Sequence, residues 1–63
     1  MTLESFRSSV ALAGGNIGQV WMNPADATEI LVEGGLLATS SMIDALIIHR
    51  DPTNVRGELK FDV

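Results

Sequence analysis

Apolar residues follow two rhythms along this chain. Leu3, Phe6, Val10 and Ala13 recur at intervals of three and four, whereas Leu59, Phe61 and Val63 alternate with Glu58, Lys60 and Asp62. The first spacing gathers side chains on one side of a helix, the second on one face of a strand. Residues 2–13 therefore favour a short helix, although Ser8 to Ala13 would also pair as an extended segment. Residues 57–63 read as a half-buried C-terminal strand. Its charged face either blunts a sheet edge or accompanies pairing with a neighbouring subunit's sheet.

The middle of the chain is punctuated by Gly14-Gly15-Asn16, Asn23-Pro24-Ala25-Asp26, Gly34-Gly35 and Asp51-Pro52-Thr53-Asn54, all turn-forming combinations. Two structures compete for residues 19–33. In one, Gln19 to Met22 and Thr28 to Glu33 form a β-hairpin about a type I turn with Asn23 first and Pro24 second. In the other, Asn23 caps a helix, Pro24 occupies its first position, and Ala27, Ile30 and Leu31 form its apolar stripe. The β-rich run Ile30-Leu31-Val32 favours the hairpin.

Residues 40–50 predict a helix. Thr39, Ser40 or Ser41 can cap it, Arg50 suits its C-terminal end, and Pro52 stops it. Met42, Ile43, Ala45, Leu46, Ile47 and Ile48 would then point in almost every direction, and a helix apolar all round has to be buried all round. The expected architecture is one α+β domain over 1–63: a hairpin at about 19–33 on a helix at about 40–50, with a terminal strand.

Composition sharpens this into an expectation of assembly. A chain of 63 residues buries only about 60% of the surface it exposes when unfolded. There is no Cys to staple it, and His49 is the only His, so a structural zinc site is not expected. The apolar fraction of 46% is too high for a disordered chain. Apolar runs stop at four residues, as in Ala45-Leu46-Ile47-Ile48, against the ~20 that span a bilayer. Val10 to Ala13 is too short for a secretory leader, and Glu4 precedes it. No membrane partner is expected.

The net charge of −4 argues against nucleic acid, which is held largely by Lys and Arg. Arg50, Arg56 and Lys60 are interleaved with Asp51, Glu58 and Asp62. Pairing helices at 24–33 and 40–50 as a helix-turn-helix would leave it without a basic recognition helix.

Candidate chemistry is sparse. His49 lacks a partner at helical spacing, since Asp44 and Asp51 lie five before and two after it; a helix-end or interface position suits it better. Ala13-Gly14-Gly15-Asn16-Ile17-Gly18 matches neither the phosphate-loop nor the dinucleotide-loop pattern. Asp26, Glu29 and Glu33 would share one helix side, without the calcium-loop motif. Trp21, the lone Trp, is an anchor for the core or for an interface. No enzyme activity, cofactor or metal is expected. The residues expected at an interface with a partner are Trp21, Leu36, Met42, Ile43, Leu46, Ile47, Ile48, Leu59 and Phe61.

The runs Val20-Trp21-Met22-Asn23-Pro24-Ala25-Asp26, Glu29-Ile30-Leu31-Val32-Glu33-Gly34-Gly35-Leu36-Leu37-Ala38-Thr39 and Met42-Ile43-Asp44-Ala45-Leu46-Ile47-Ile48 together resemble the small baseplate proteins of Mu-like contractile phage tails. The likeness spans residues 20–50, and Gly34-Gly35-Leu36-Leu37-Ala38-Thr39 is its most specific part. Asn23 stands where family members have Asp, and residues 1–17 fall outside the likeness, as an extension or arm. The resemblance implies a hairpin packed on a helix within a tail wedge. It also implies a non-enzymatic structural role, virion location after assembly in the host cytoplasm, and homo- or hetero-oligomeric contacts with other tail proteins. The alternative is a small acidic inhibitor or adaptor, steered to a basic protein surface.

Overall fold

The computed structural model describes residues 1–63 as two helices on one side of a four-stranded mixed sheet. The chain is α+β, as expected, and the C-terminal strand and N-terminal helix are both present. The two middle elements are exchanged. Residues 24–33 are helical, and the region from 42 to 50 is a hairpin.

Helix α1 (Leu3–Ala13) begins where Thr2 Oγ1 accepts the Ser5 N–H at 3.0 Å, and it ends at Gly14, whose φ of 99° suits a residue without a Cβ. It turns Leu3 and Phe6 into the core, with Val10 packed at its margin. Residues 1–17 are thus no detached arm; their helix forms half of the covering layer.

Strand β1 (Gln19–Met22) leads into helix α2 (Pro24–Glu33). Asn23 Oδ1 accepts the Ala25 N–H at 2.9 Å, and Pro24 takes the first helical position, where no N–H is needed. The far end closes as a Schellman motif. Leu36 N–H reaches Leu31 O, Gly35 N–H reaches Val32 O, and Gly35 supplies the positive φ of 76°. These caps, with Ala27, Ile30 and Leu31 facing inward, outweigh the β propensity of Ile30-Leu31-Val32.

Strands β2 (Met42–Ile43) and β3 (Leu46–Arg50) form the hairpin that replaces the expected helix. Its turn is Asp44-Ala45, with φ of 50° and 65°, so both central residues are left-handed, the twist that suits a two-residue hairpin. Arg7 fastens the turn from α1, through Nε to Asp44 Oδ2 at 2.8 Å and Nη2 to Oδ1 at 3.1 Å. Arg50, expected at a helix end, lies on β3 and donates to the carbonyls of Ala38 and Ser40, drawing in the loop after α2.

Strand β4 (Leu59–Phe61) completes the order β2-β3-β1-β4. β1 runs parallel to β3 with Val20 beside Ile48, and antiparallel to β4 with Trp21 beside Lys60. Between β3 and β4, Asp51 Oδ1 accepts from the N–H and hydroxyl of Thr53, forming the turn expected at 51–54. The core consists of Leu3, Phe6, Val20, Met22, Ala27, Ile30, Leu31, Ile43, Leu46 and Ile48.

Candidate functional site: the open face of the sheet

Strand geometry divides the aliphatic run of residues 42–48 by alternation. Ile43, Leu46 and Ile48 are 4–5% exposed and face the helices, whereas Met42 and Ile47 are 49% and 42% exposed. This segment would be apolar in every direction only as a helix. As a hairpin it needs cover on one face, which α1 and α2 supply. The uncovered apolar surface reduces to the residues on the far face.

That far face follows from the register. Met42 lies opposite Ile47, Ile47 beside Gln19, His49 beside Trp21, and Trp21 beside Lys60. Trp21 and His49 stack with ring centroids 4.6 Å apart and planes 10° from parallel. Gln19 Oε1 accepts from His49 Nε2 at 2.7 Å, while Gln19 Nε2 points to Asp62 Oδ2 at 3.5 Å. The carboxylate only accepts, so the Gln19 amide presents its oxygen to His49 and the imidazole proton sits on Nε2. Asp62 also accepts from the N–H groups of Gly18 and Gln19, and these bonds hold its pKa below the usual carboxylate range. The result is a rigid aromatic pair beside an aliphatic pair.

The expected contact residues therefore separate. Trp21, Met42 and Ile47 share the open face. Ile43, Leu46 and Ile48 are in the chain's own core. Leu59 and Phe61 are half-buried against that core from β4, and Leu36 is exposed in the loop after α2. Gln19, His49 and Lys60 also belong to the open face; of these, only His49 carries an expectation of an interface position from sequence. The alternation Gln19-Val20-Trp21-Met22 and the two-residue step from Ile47 to His49 were the available signals.

The three acids of α2 do structural work. Asp26, fully buried, accepts from Arg56 Nε at 2.9 Å, Gly57 N at 2.7 Å and the Met1 ammonium at 3.3 Å. Burial pushes its pKa up, but the Gly57, Arg56 and Met1 donors outweigh that and hold it below its ordinary value. Glu29 accepts from the same ammonium at 2.7 Å and from Arg56 at 2.6 Å. Glu33 takes the Leu3 N–H on both oxygens, satisfying a free donor at the start of α1. Asp26 is buried while Glu29 and Glu33 stay exposed, and together they tie the N-terminus and the 56–57 loop to α2. No three His, Asp or Glu side chains converge in a way that could hold a metal ion. The one surface depression is a shallow groove along α1, where Arg7 is already engaged with Asp44.

Comparison of the chain with protein-family models, curated proteins and solved structures returned no match.

Proposed function

We propose that this chain is a non-enzymatic structural protein that works by packing the open face of its sheet against another protein. One observation carries the reading: Met42 and Ile47, 49% and 42% exposed, form a cross-strand apolar pair next to the stacked Trp21 and His49 on the face opposite the helices. Rigid aromatic and aliphatic side chains clustered on a flat surface are what protein contacts use as anchors. Their backbone is fixed by the sheet, so little ordering entropy opposes docking.

The likeness over residues 20–50 supplies the setting, the baseplate of a contractile phage tail. This part of the proposal stands on sequence alone, because the hairpin-then-helix order the likeness implies is reversed between residues 19 and 50. Mass spectrometry of purified particles tests it. The chain should be present at fixed stoichiometry, and an Ile47→Lys variant that folds normally should be lost from particles. Abundance in the lysate with absence from particles overturns the virion role.

The net charge of −4 favours a second reading, an acidic module that binds one basic protein. That protein would copurify with the chain outside particles, in a complex weakened by salt.

A further inference from the structure

We infer that two copies of this chain pair through the free edge of β4, antiparallel and with Phe61 opposite Phe61, to make one continuous eight-stranded sheet. This surface is separate from the open face, and the inference holds whether or not that face binds another protein.

The direction of the backbone groups follows from the neighbouring strands. Ile47 N–H donates to Gly18 O, and Asp51 N–H to Met22 O. Gly18, Val20 and Met22 therefore aim their peptide groups at β3, and Gln19 and Trp21 aim theirs at β4. Gln19 N–H accordingly meets Asp62. Lys60, opposite Trp21, spends its N–H and C=O on β1. The peptide groups of Leu59 and Phe61 then point outward from the last strand of the sheet, where an added strand finds donors and acceptors ready.

Three antiparallel registers use those groups, and charge and backbone choose among them. With Leu59 opposite Phe61, Lys60 meets Lys60 and Glu58 meets Asp62, so every charged pair is repulsive. With Leu59 opposite Leu59, Gly57 would have to join the ladder. Its N–H is held by Asp26 at 2.7 Å, and its φ is 84°, outside the β region. With Phe61 opposite Phe61, Lys60 lies across from Asp62 twice, and Leu59 lies across from Val63 twice. This register places opposite charges together on one face and apolar side chains together on the other; the Leu59–Leu59 register would also set Lys60 across from Glu58, and it is the Gly57 backbone that excludes it.

The unpaired state of Lys60 fits the same partner. Arg7 is bonded to Asp44, Arg50 to two carbonyls, and Arg56 to Asp26 and Glu29, whereas the Lys60 ammonium makes neither a hydrogen bond nor an ion pair within the chain. Val63 is 88% exposed and would be covered by Leu59 of the second copy. A two-fold axis at Phe61 is closed and isologous, so the assembly stops at two. It leaves both helix layers on one side and both open faces on the other.

Sedimentation equilibrium on the free chain, from micromolar to millimolar concentration, should show a monomer–dimer equilibrium. Lys60→Glu, at an exposed position whose side chain makes no hydrogen bond or ion pair in the chain, should weaken the dimer by roughly ten- to a hundredfold with an unchanged circular dichroism spectrum. The absence of Cys allows a direct check of register. Under mild oxidation Phe61→Cys should cross-link to itself, since facing Cα atoms lie within disulfide reach, whereas Lys60→Cys should not. A monomer throughout, an oligomer larger than two, a dimer indifferent to Lys60→Glu, or self-cross-linking at position 60 in preference to 61 would each overturn the inference.

Discussion

The Trp21 indole lies flat on the His49 imidazole, 4.6 Å between centroids, across two parallel strands that are 28 residues apart in the chain. An aromatic pair so placed is worth about 0.5–1.5 kcal/mol beyond the area it buries. A double-mutant cycle of Trp21→Leu and His49→Leu, followed by urea denaturation, should return a coupling energy in that range. Additive effects would mean that the stack contributes nothing to holding β1 against β3.

The hairpin turn is open to improvement. Ala45 sits at φ 65°, a conformation that disfavours every residue with a Cβ. Ala45→Gly should stabilise the chain by about 1 kcal/mol, raising the melting temperature by roughly 4–8 °C. Ala45→Val should act in the opposite direction. A loss of stability with Gly would be inconsistent with a left-handed residue at this position.

Neighbouring isoleucines should behave differently. Ile48→Ala removes a side chain only 5% exposed and should cost about 2–4 kcal/mol. Ile47→Ala, on the open face, should cost less than about 1 kcal/mol. Similar losses at both positions would fit a segment buried all round and would contradict strand geometry.

Asp26 is the junction through which α2 holds Met1, Arg56 and Gly57. Asp26→Asn keeps the shape but turns a donor toward donors, with a cost of roughly 2–4 kcal/mol, the exposed side of Arg56 keeping it from being larger. Arg56→Lys should recover little, because a single ammonium cannot reproduce the contacts to both Asp26 and Glu29. Chemical denaturation of the two variants measures both effects.

Stability should fall toward both ends of the pH range. The Glu29 bond, with Asp26 behind it, outweighs burial and raises the pKa of the Met1 ammonium. A raised folded value means that its contribution is complete below the unfolded value of about 8 and fades as pH climbs through the folded one. With no Cys or Tyr and a single Lys, little else titrates between about pH 8 and 10. Thermal melts should decline over that interval for the free amine and stay level for an N-acetylated chain. On the acid side, the Met1 ammonium lowers the pKa of Glu29, Arg7 lowers that of Asp44, and backbone N–H groups lower that of Asp62. Their contribution is complete above the unfolded carboxylate value of about 4 and is lost as pH falls through the lower folded values. A pH-independent melting temperature would remove these ion pairs from any role in stability.

Elements with local signals are legible in the order of residues alone. Three- and four-residue spacing from Leu3 to Ala13 marks α1, strict alternation from Glu58 to Val63 marks β4, and Asp51-Pro52-Thr53-Asn54 marks the turn between β3 and β4. Each follows from backbone preference within a few residues. Asn23-Pro24 carried the signal for α2 as well, but the same pair also starts a type I turn, and Ile30-Leu31-Val32 pulled toward a strand.

Contacts between residues distant in the chain settle the remainder. Asp44-Ala45 lacks the Gly that usually announces a two-residue hairpin, and Arg7, 37 residues away, fastens the turn. Without that contact in view, the dense aliphatics of residues 42–48 read as a helix. The open face was hidden for the same reason. Which of two adjacent isoleucines is buried depends on the period of the backbone, and that period was set by packing against β1 and α2, contacts that no local pattern encodes.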